Sequence, residues 1–141
     1  MKSIWLLMGM LVLPGDSGEK KFVHPEGFSA DLPFSPGIVV GDTLYVAGQT
    51  GRDLESGEFP ESFEAEVRQV FHRIGLVLAA AGYDFTDVVD AKVYLTDIAD
   101  FQAMNGVFRE IFPKNPPVRT TVQVASLVGK ARVEITVMAR K

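Results

Sequence analysis

Two residues near the C-terminus are the strongest chemical signal in this chain. Arg119 lies in Pro-Val-Arg-Thr-Thr-Val-Gln-Val, residues 117–124, and Glu134 lies in Arg-Val-Glu-Ile-Thr-Val, residues 132–137. Strand side chains alternate with a period of two, so Arg119, Thr121 and Gln123 share one face, and Glu134 and Thr136 stand opposite Val133, Ile135 and Val137. A hairpin closing through Ala125 to Lys130 would, in antiparallel register, bring the guanidinium and the carboxylate together on one face. A fixed cation beside a half-buried carboxylate suits the binding of a small molecule. The same spacing also fits a solvated cross-strand ion pair, worth well under about 1 kcal/mol and chemically idle.

The elements that must position this pair follow from periodicity and turn chemistry. Lys21 to His24 and Gly37 to Val40 read as strands, and Gly41-Asp42 is a turn that returns the chain as Thr43 to Ala47. Gln49 to Pro60, with Gly51, Gly57, Pro60 and several charges, reads as an exposed loop. Phe63, Val67, Val70, Phe71, Ile74, Val77, Leu78 and Ala81 recur at helical spacing, while Glu64, Glu66, Arg68, Gln69 and Arg73 occupy the other side. Gly82 ends that helix in a left-handed cap. Val88 to Thr96 alternates as a strand, and Asp97 or Asp100 can cap a second helix whose Phe101, Met104, Phe108, Ile111 and Phe112 face inward. Pro113, Pro116 and Pro117 stop it, and Val118 to Val124 and Arg132 to Ala139 close a β-β-β-α-β-α-β-β order. The economical packing is α+β, with both helices on one face of a mixed β-sheet. The other face then lacks a cover, which predicts association of several copies.

With 141 residues, 47% hydrophobic and 23% charged, there is room for one domain with a real core and none for a second. A net charge of −4, with scattered Lys and Arg, gives no footprint for nucleic acid. The absence of cysteine excludes thiolate catalysis, disulfides and cysteine-ligated zinc. His24 and His72 are the only histidines and have no second nitrogen ligand at helical or hairpin spacing, so no metal site is expected. No dinucleotide fingerprint, phosphate loop or nucleophile elbow occurs, and no cofactor is called for. Residues 1–18 read as a signal peptide: Met1-Lys2-Ser3, then an apolar run from Ile4 to Leu13, then Pro14-Gly15-Asp16-Ser17-Gly18. A run of about ten residues is too short to span a bilayer. The domain is therefore placed at 19–141, exported and without stable membrane association once the leader is removed, with a cytoplasmic location as the alternative.

Pro117-Val118-Arg119, Val122, Ala125, Leu127 and Val133-Glu134-Ile135 together resemble the signature of the Rid/YjgF family of imine deaminases. So do Val23-His24-Pro25-Glu26-Gly27, Pro33-Phe34-Ser35-Pro36-Gly37-Ile38, Val40-Gly41-Asp42, Val46-Ala47-Gly48-Gln49, Ala80-Ala81-Gly82, Val93-Tyr94-Leu95-Thr96-Asp97 and Asp100-Phe101. This resemblance covers nearly everything after Lys20. It implies a chorismate-mutase-like domain assembled as a homotrimer, with three sheets enclosing a barrel and ligand sites in the clefts between subunits.

The implied reaction is hydrolysis of a 2-imino acid, tautomer of an enamine, to a 2-oxo acid and ammonia. Arg119 matches the family's carboxylate-gripping position, a role suited to the two parallel hydrogen bonds of a guanidinium. Glu134 matches the position that activates water and passes a proton to the departing nitrogen. Gly48 would let backbone approach the ligand, and Asn105 matches a family asparagine. Phe34 stands where many relatives carry tyrosine and keeps only an apolar wall; Thr121 replaces a common cysteine. Thr50-Gly51 and Leu127-Val128 also depart from the usual proline-containing versions. Two alternatives stand beside this reading: a non-enzymatic module that binds small carboxylates at subunit clefts, and a ribonuclease or translation inhibitor, which the acidic charge disfavours.

Overall fold

The alternating and helical patterns condense into six strands and two helices in the computed structural model, which describes residues 18–141; the expected leader, apart from Gly18, lies outside the described residues. The strands are β1 (Lys20–Val23), β2 (Gly37–Val40), β3 (Thr43–Thr50), β4 (Val88–Leu95), β5 (Val118–Gln123) and β6 (Val133–Arg140); the helices are α1 (Phe63–Ala80) and α2 (Phe101–Ile111). They form one sheet in the order β1-β2-β3-β6-β4-β5. Every pairing is antiparallel except β4 with β5, which are parallel because α2 carries the chain back between them. The expected α+β class and the placement of both helices on one face are borne out.

The expected β5–β6 hairpin is not formed. β6 instead runs between β3 and β4, with Val133, Ile135, Val137 and Ala139 buried under the helices. The reason lies in the two inner faces. β6 offers an unbroken apolar row that repays a central position, whereas β5 carries Arg119, Thr121 and Gln123 on the same side and is left at the edge. β3 also runs three residues beyond the expected Ala47, and Gln49, expected in a loop, is buried.

Helix α1 is capped at Ser62, whose hydroxyl accepts from the Ala65 amide at 3.1 Å, and ends at Gly82 in the expected left-handed cap, where Tyr83 N–H donates to Leu78 O at 2.9 Å. It meets α2 through aromatic edges: Phe71 stands 5.8 Å from both Phe108 and Phe112, and these two are 4.7 Å apart.

One charge lies inside this core. Glu66, assigned to the polar side of α1 by its spacing, has no exposed surface. Its Oε1 accepts from the Arg132 amide at 2.8 Å and its Oε2 from Arg132 Nε at 2.6 Å. Arg132 Nη2 also donates to the carbonyls of Pro60 and Glu61, at 3.0 and 3.2 Å. Gly51 permits this contact, since a Cβ there would stand 2.4 Å from Glu66 Cγ and 2.6 Å from Glu66 O.

Among the described residues no element covers the opposite face of the sheet. The register aligns Phe22, Ile38, Tyr45, Met138, Asp90 and Val118 in a lateral row across all six strands; Phe22, Tyr45 and Val118 are well exposed.

Glu66→Ala should lower unfolding free energy by about 3 kcal/mol or more, because it leaves the Arg132 guanidinium partly buried and unpaired. Urea unfolding at fixed protein concentration measures this, and a loss under about 1 kcal/mol would show that solvent replaces the carboxylate without penalty.

Candidate active site

Arg119 sits on β5 beside Ala91 of β4, so it faces α2. Its guanidinium carbon lies 4.6 Å from the Phe108 ring centre and 5.5 Å from that of Phe101, and Nη1 is 3.8 Å from Met104 Sδ. Aromatic faces and a thioether therefore orient this cation. Among the described residues it has no carboxylate partner. Burial, and after it the charge of Arg109, pull its pKa below the ordinary arginine value, although a guanidinium remains charged at neutral pH. Asn105, Phe108, Arg109, Phe112, Pro116, Pro117 and Arg119 line a cleft of about 380 Å³.

Two polar atoms near this cation lack partners. Asn105 Oδ1 on α2 and Thr121 Oγ1, two residues along β5 from Arg119 on the same face, are buried without a hydrogen bond. Asn105 Nδ2 has only a long 3.5 Å contact with Gln102 Oε1. Such orphaned groups are costly, and they mark a place where a ligand or a further chain can complete the bonding.

Glu134 stands elsewhere. It pairs with Thr50 of β3 and Tyr94 of β4, on the open face of the sheet. Between Val46 and Gln49 the β3–β6 ladder contains a bulge, because Val46 pairs with Val137 but Gln49 with Ile135. Ala47 and Gly48 thus oppose Thr136 alone. The bulge is held by Thr136 Oγ1, which donates to Val46 O at 2.6 Å, and by Ala47 N–H, which donates to Pro36 O at 2.9 Å. Glu134 leans over this irregularity so closely that a Cβ on Gly48 would fall 2.1 Å from Oε1. Among the described residues the carboxylate has no hydrogen-bond or ion-pair partner. Phe34, more than half exposed, lines a separate cleft of about 340 Å³ with His24 and Pro36, and Pro36 bonds to the bulge.

The candidates therefore fall into two groups: Arg119, Asn105 and Thr121 toward the helices, and Glu134, Gly48 and Phe34 on or beside the open face. Arg119 and Glu134 are not neighbours, contrary to the hairpin expectation. One strand separates them, and Ala91 and Tyr94, their partners on β4, differ by three residues, so they are about 10 Å apart across the sheet and about 10 Å along it, on opposite faces. Arg109 and Phe108 were missed by sequence reasoning. Their signal was present: Phe101, Asn105, Phe108, Arg109 and Phe112 recur at three- and four-residue steps along one side of α2. His72 lies in neither group, and His24 joins only the cleft of Phe34. Among the described residues no set of three or more His, Asp or Glu side chains is placed to hold a metal.

Comparison with known proteins agrees with the family resemblance. The profile of the Endoribonuclease L-PSP family matches residues 26–141. The 2-iminobutanoate/2-iminopropanoate deaminase of Capra hircus is 44% identical over 108 residues, covering 76% of this chain and 79% of that protein. Among solved structures, RidA from an Antarctic Psychrobacter superposes with a TM-score of 0.81 at 36% identity over 86% of this chain and 99% of its own. Escherichia coli TdcF with bound serine superposes with a TM-score of 0.81 at 26% identity, over 86% and 98% of the two chains. With its α+β fold and its sequence matched along most of its length by these proteins, the chain belongs to the Endoribonuclease L-PSP family, that of the Rid/YjgF deaminases.

Proposed function

We propose that the chain is a cofactor-independent deaminase that hydrolyses 2-imino acids to 2-oxo acids and ammonia, at sites each built from two subunits. The observation that carries this reading is the separation of Arg119 and Glu134. Each lacks an ion-pair partner among the described residues, yet they face opposite sides of the sheet. A second copy packed on the open face can bring its own Arg119 edge to the Glu134 of the first. Closing this relation around a three-fold axis covers the exposed Phe22, Tyr45 and Val118 and gives every subunit the same pair of half-sites.

In the assembled site the guanidinium of Arg119 receives the substrate carboxylate through two parallel hydrogen bonds, and Asn105 and Thr121 supply polar contacts beside it. The imine carbon then lies over Glu134. The Glu134 carboxylate removes a proton from water as the oxygen adds to that carbon, giving a carbinolamine. It returns that proton to nitrogen, then carries the carbinolamine hydroxyl proton to the same nitrogen as the carbon–nitrogen bond breaks and the carbonyl forms. One water enters and one ammonia leaves. The named activity of the goat relative supports the substrate class, and the serine bound to TdcF supports a small amino-acid-like carboxylate ligand. The acidic net charge of −4 supports neither of the nucleic-acid activities considered above.

Ammonia and 2-oxo acid release from freshly generated 2-iminobutanoate tests the reaction. Arg119→Lys should reduce kcat/KM by about 10²-fold through loss of bidentate geometry. Glu134→Gln should abolish turnover while ligand binding persists. Wild-type release no faster than the uncatalysed reaction, with carboxylate binding retained, would favour the binding-module alternative. Gly48→Ala, which forces the Glu134 carboxylate aside, should cost about 10²-fold in kcat with little loss of substrate affinity. The two-subunit site has its own test: inactive Arg119→Ala and Glu134→Gln proteins, unfolded together and refolded at equal ratio, should regain activity in about a quarter of the sites of a cyclic assembly. No recovery in the mixture, with mixed oligomers demonstrated by mass, would place the whole site within one chain.

A further inference from the structure

The Arg119 cleft contains a second guanidinium. Arg109 follows Asn105 by one helical turn on α2 and lines the same space of about 380 Å³, and among the described residues no aspartate or glutamate lines it. The adjacent Glu110 is already engaged, accepting from Arg68 of α1 through Nη2 at 2.8 Å and Nε at 3.0 Å. Neither Arg109 nor Arg119 has an ion-pair partner among the described residues. The two charges feel one another, since Arg109 is the second cause, after burial, of the lowered pKa of Arg119. A cation in the last turn of α2 also suits the helix dipole.

Two like charges held in one cleft with no internal anion favour a ligand that carries two negative groups. Arg119 is half-buried and Arg109 exposed, and both line the cleft. Phe108, Phe112, Pro116 and Pro117 supply apolar wall for a short methylene chain. A 2-imino acid with an uncharged side chain would satisfy Arg119 and leave Arg109 without an anion. We infer that this cleft selects 2-imino acids with a second carboxylate on the side chain, Arg119 holding the carboxylate beside the imine and Arg109 the distal one. This rests on the reading of Arg119 as the grip for the substrate's first carboxylate.

The test uses the full chain and its Arg109→Gln and Arg109→Glu variants with two imines released freshly by an amino-acid oxidase, one from glutamate and one from 2-aminobutanoate. The readout is the ratio of kcat/KM for the dicarboxylic imine to that for the monocarboxylic one. The ratio should exceed one in the wild type, fall about tenfold in Arg109→Gln with loss of one charge-assisted contact, and fall further in Arg109→Glu. Titration calorimetry with the stable products 2-oxoglutarate and 2-oxobutanoate should show the same change in relative affinity. A wild-type ratio of one or less, or a ratio unmoved by Arg109→Gln, overturns the inference. Failure to release ammonia from both imines overturns the deaminase reading alone, and the calorimetric ratio then decides the dicarboxylate preference by the same criteria.

Discussion

The carboxylate of Glu66 is the contact on which the rest of this domain depends. It is fully buried, and it is neutralised by a single residue, Arg132, through one backbone and one side-chain donor. That geometry locks the start of β6 to the first turn of α1, and the outer nitrogen of Arg132 ties in the loop before the helix. A buried ion pair of this kind is weak support for stability when compared with an apolar substitute. Its effect is on arrangement, because only one placement of β6 against α1 satisfies the charge. With that placement set, β6 occupies the centre of the sheet and Glu134 follows Arg132 by two residues onto the open face.

Around this anchor the fold divides its tasks between the two faces of the sheet. One face is filled by the helices, and its aromatic contacts run from Phe71 through Phe108 to the guanidinium of Arg119, so the cation is oriented by the edge of the core. The other face carries one largely apolar row and Glu134, which has no ion-pair partner among the described residues. On the proposed reading a single copy presents a binding edge without a base and a base without a binding edge. The proposed assembly is attractive because it resolves both deficiencies and the uncovered apolar surface in one packing.

Much of this was legible in the sequence, and the failures have a common cause. Helical spacing found both helices, and Gly82 and the proline cluster found their ends. Alternation assigned Arg119 and Thr121 to one face of β5 and Glu134 to the face opposite Val133 and Ile135, all of which the structure bears out. Alternation says which residues of a strand share a side, but not which strand lies beside it. The short connection from β5 to β6 fitted a hairpin, and the competing fact, that β6 has a wholly apolar inner row and β5 does not, counts only when all strands are ranked for the central position. Glu66 escaped for a related reason: its partner is 66 residues away, and nothing local distinguishes a buried glutamate from a solvated one. Gly48 and Asn105 were legible because a close-packed glycine and a polar side chain beside an apolar stripe both point to unusual surroundings. Arg109 was overlooked because a basic residue near a helix end has an ordinary explanation.

The bulge at Ala47 and Gly48 has a consequence for how the chain can vary in length. Upstream of it Leu44 and Val46 turn toward the helices, whereas downstream the inward residue is Gln49, so the extra residue exchanges even for odd positions along one strand. Deleting a residue here would not simply shorten β3. It would reverse the facing of everything on one side, sending either Leu44 and Val46 or Gln49 out of the core. Residues 52–60 lie outside the ladder and can absorb insertions and deletions, whereas the segment from Leu44 to Gln49 tolerates substitution far more readily than any change in its number of residues.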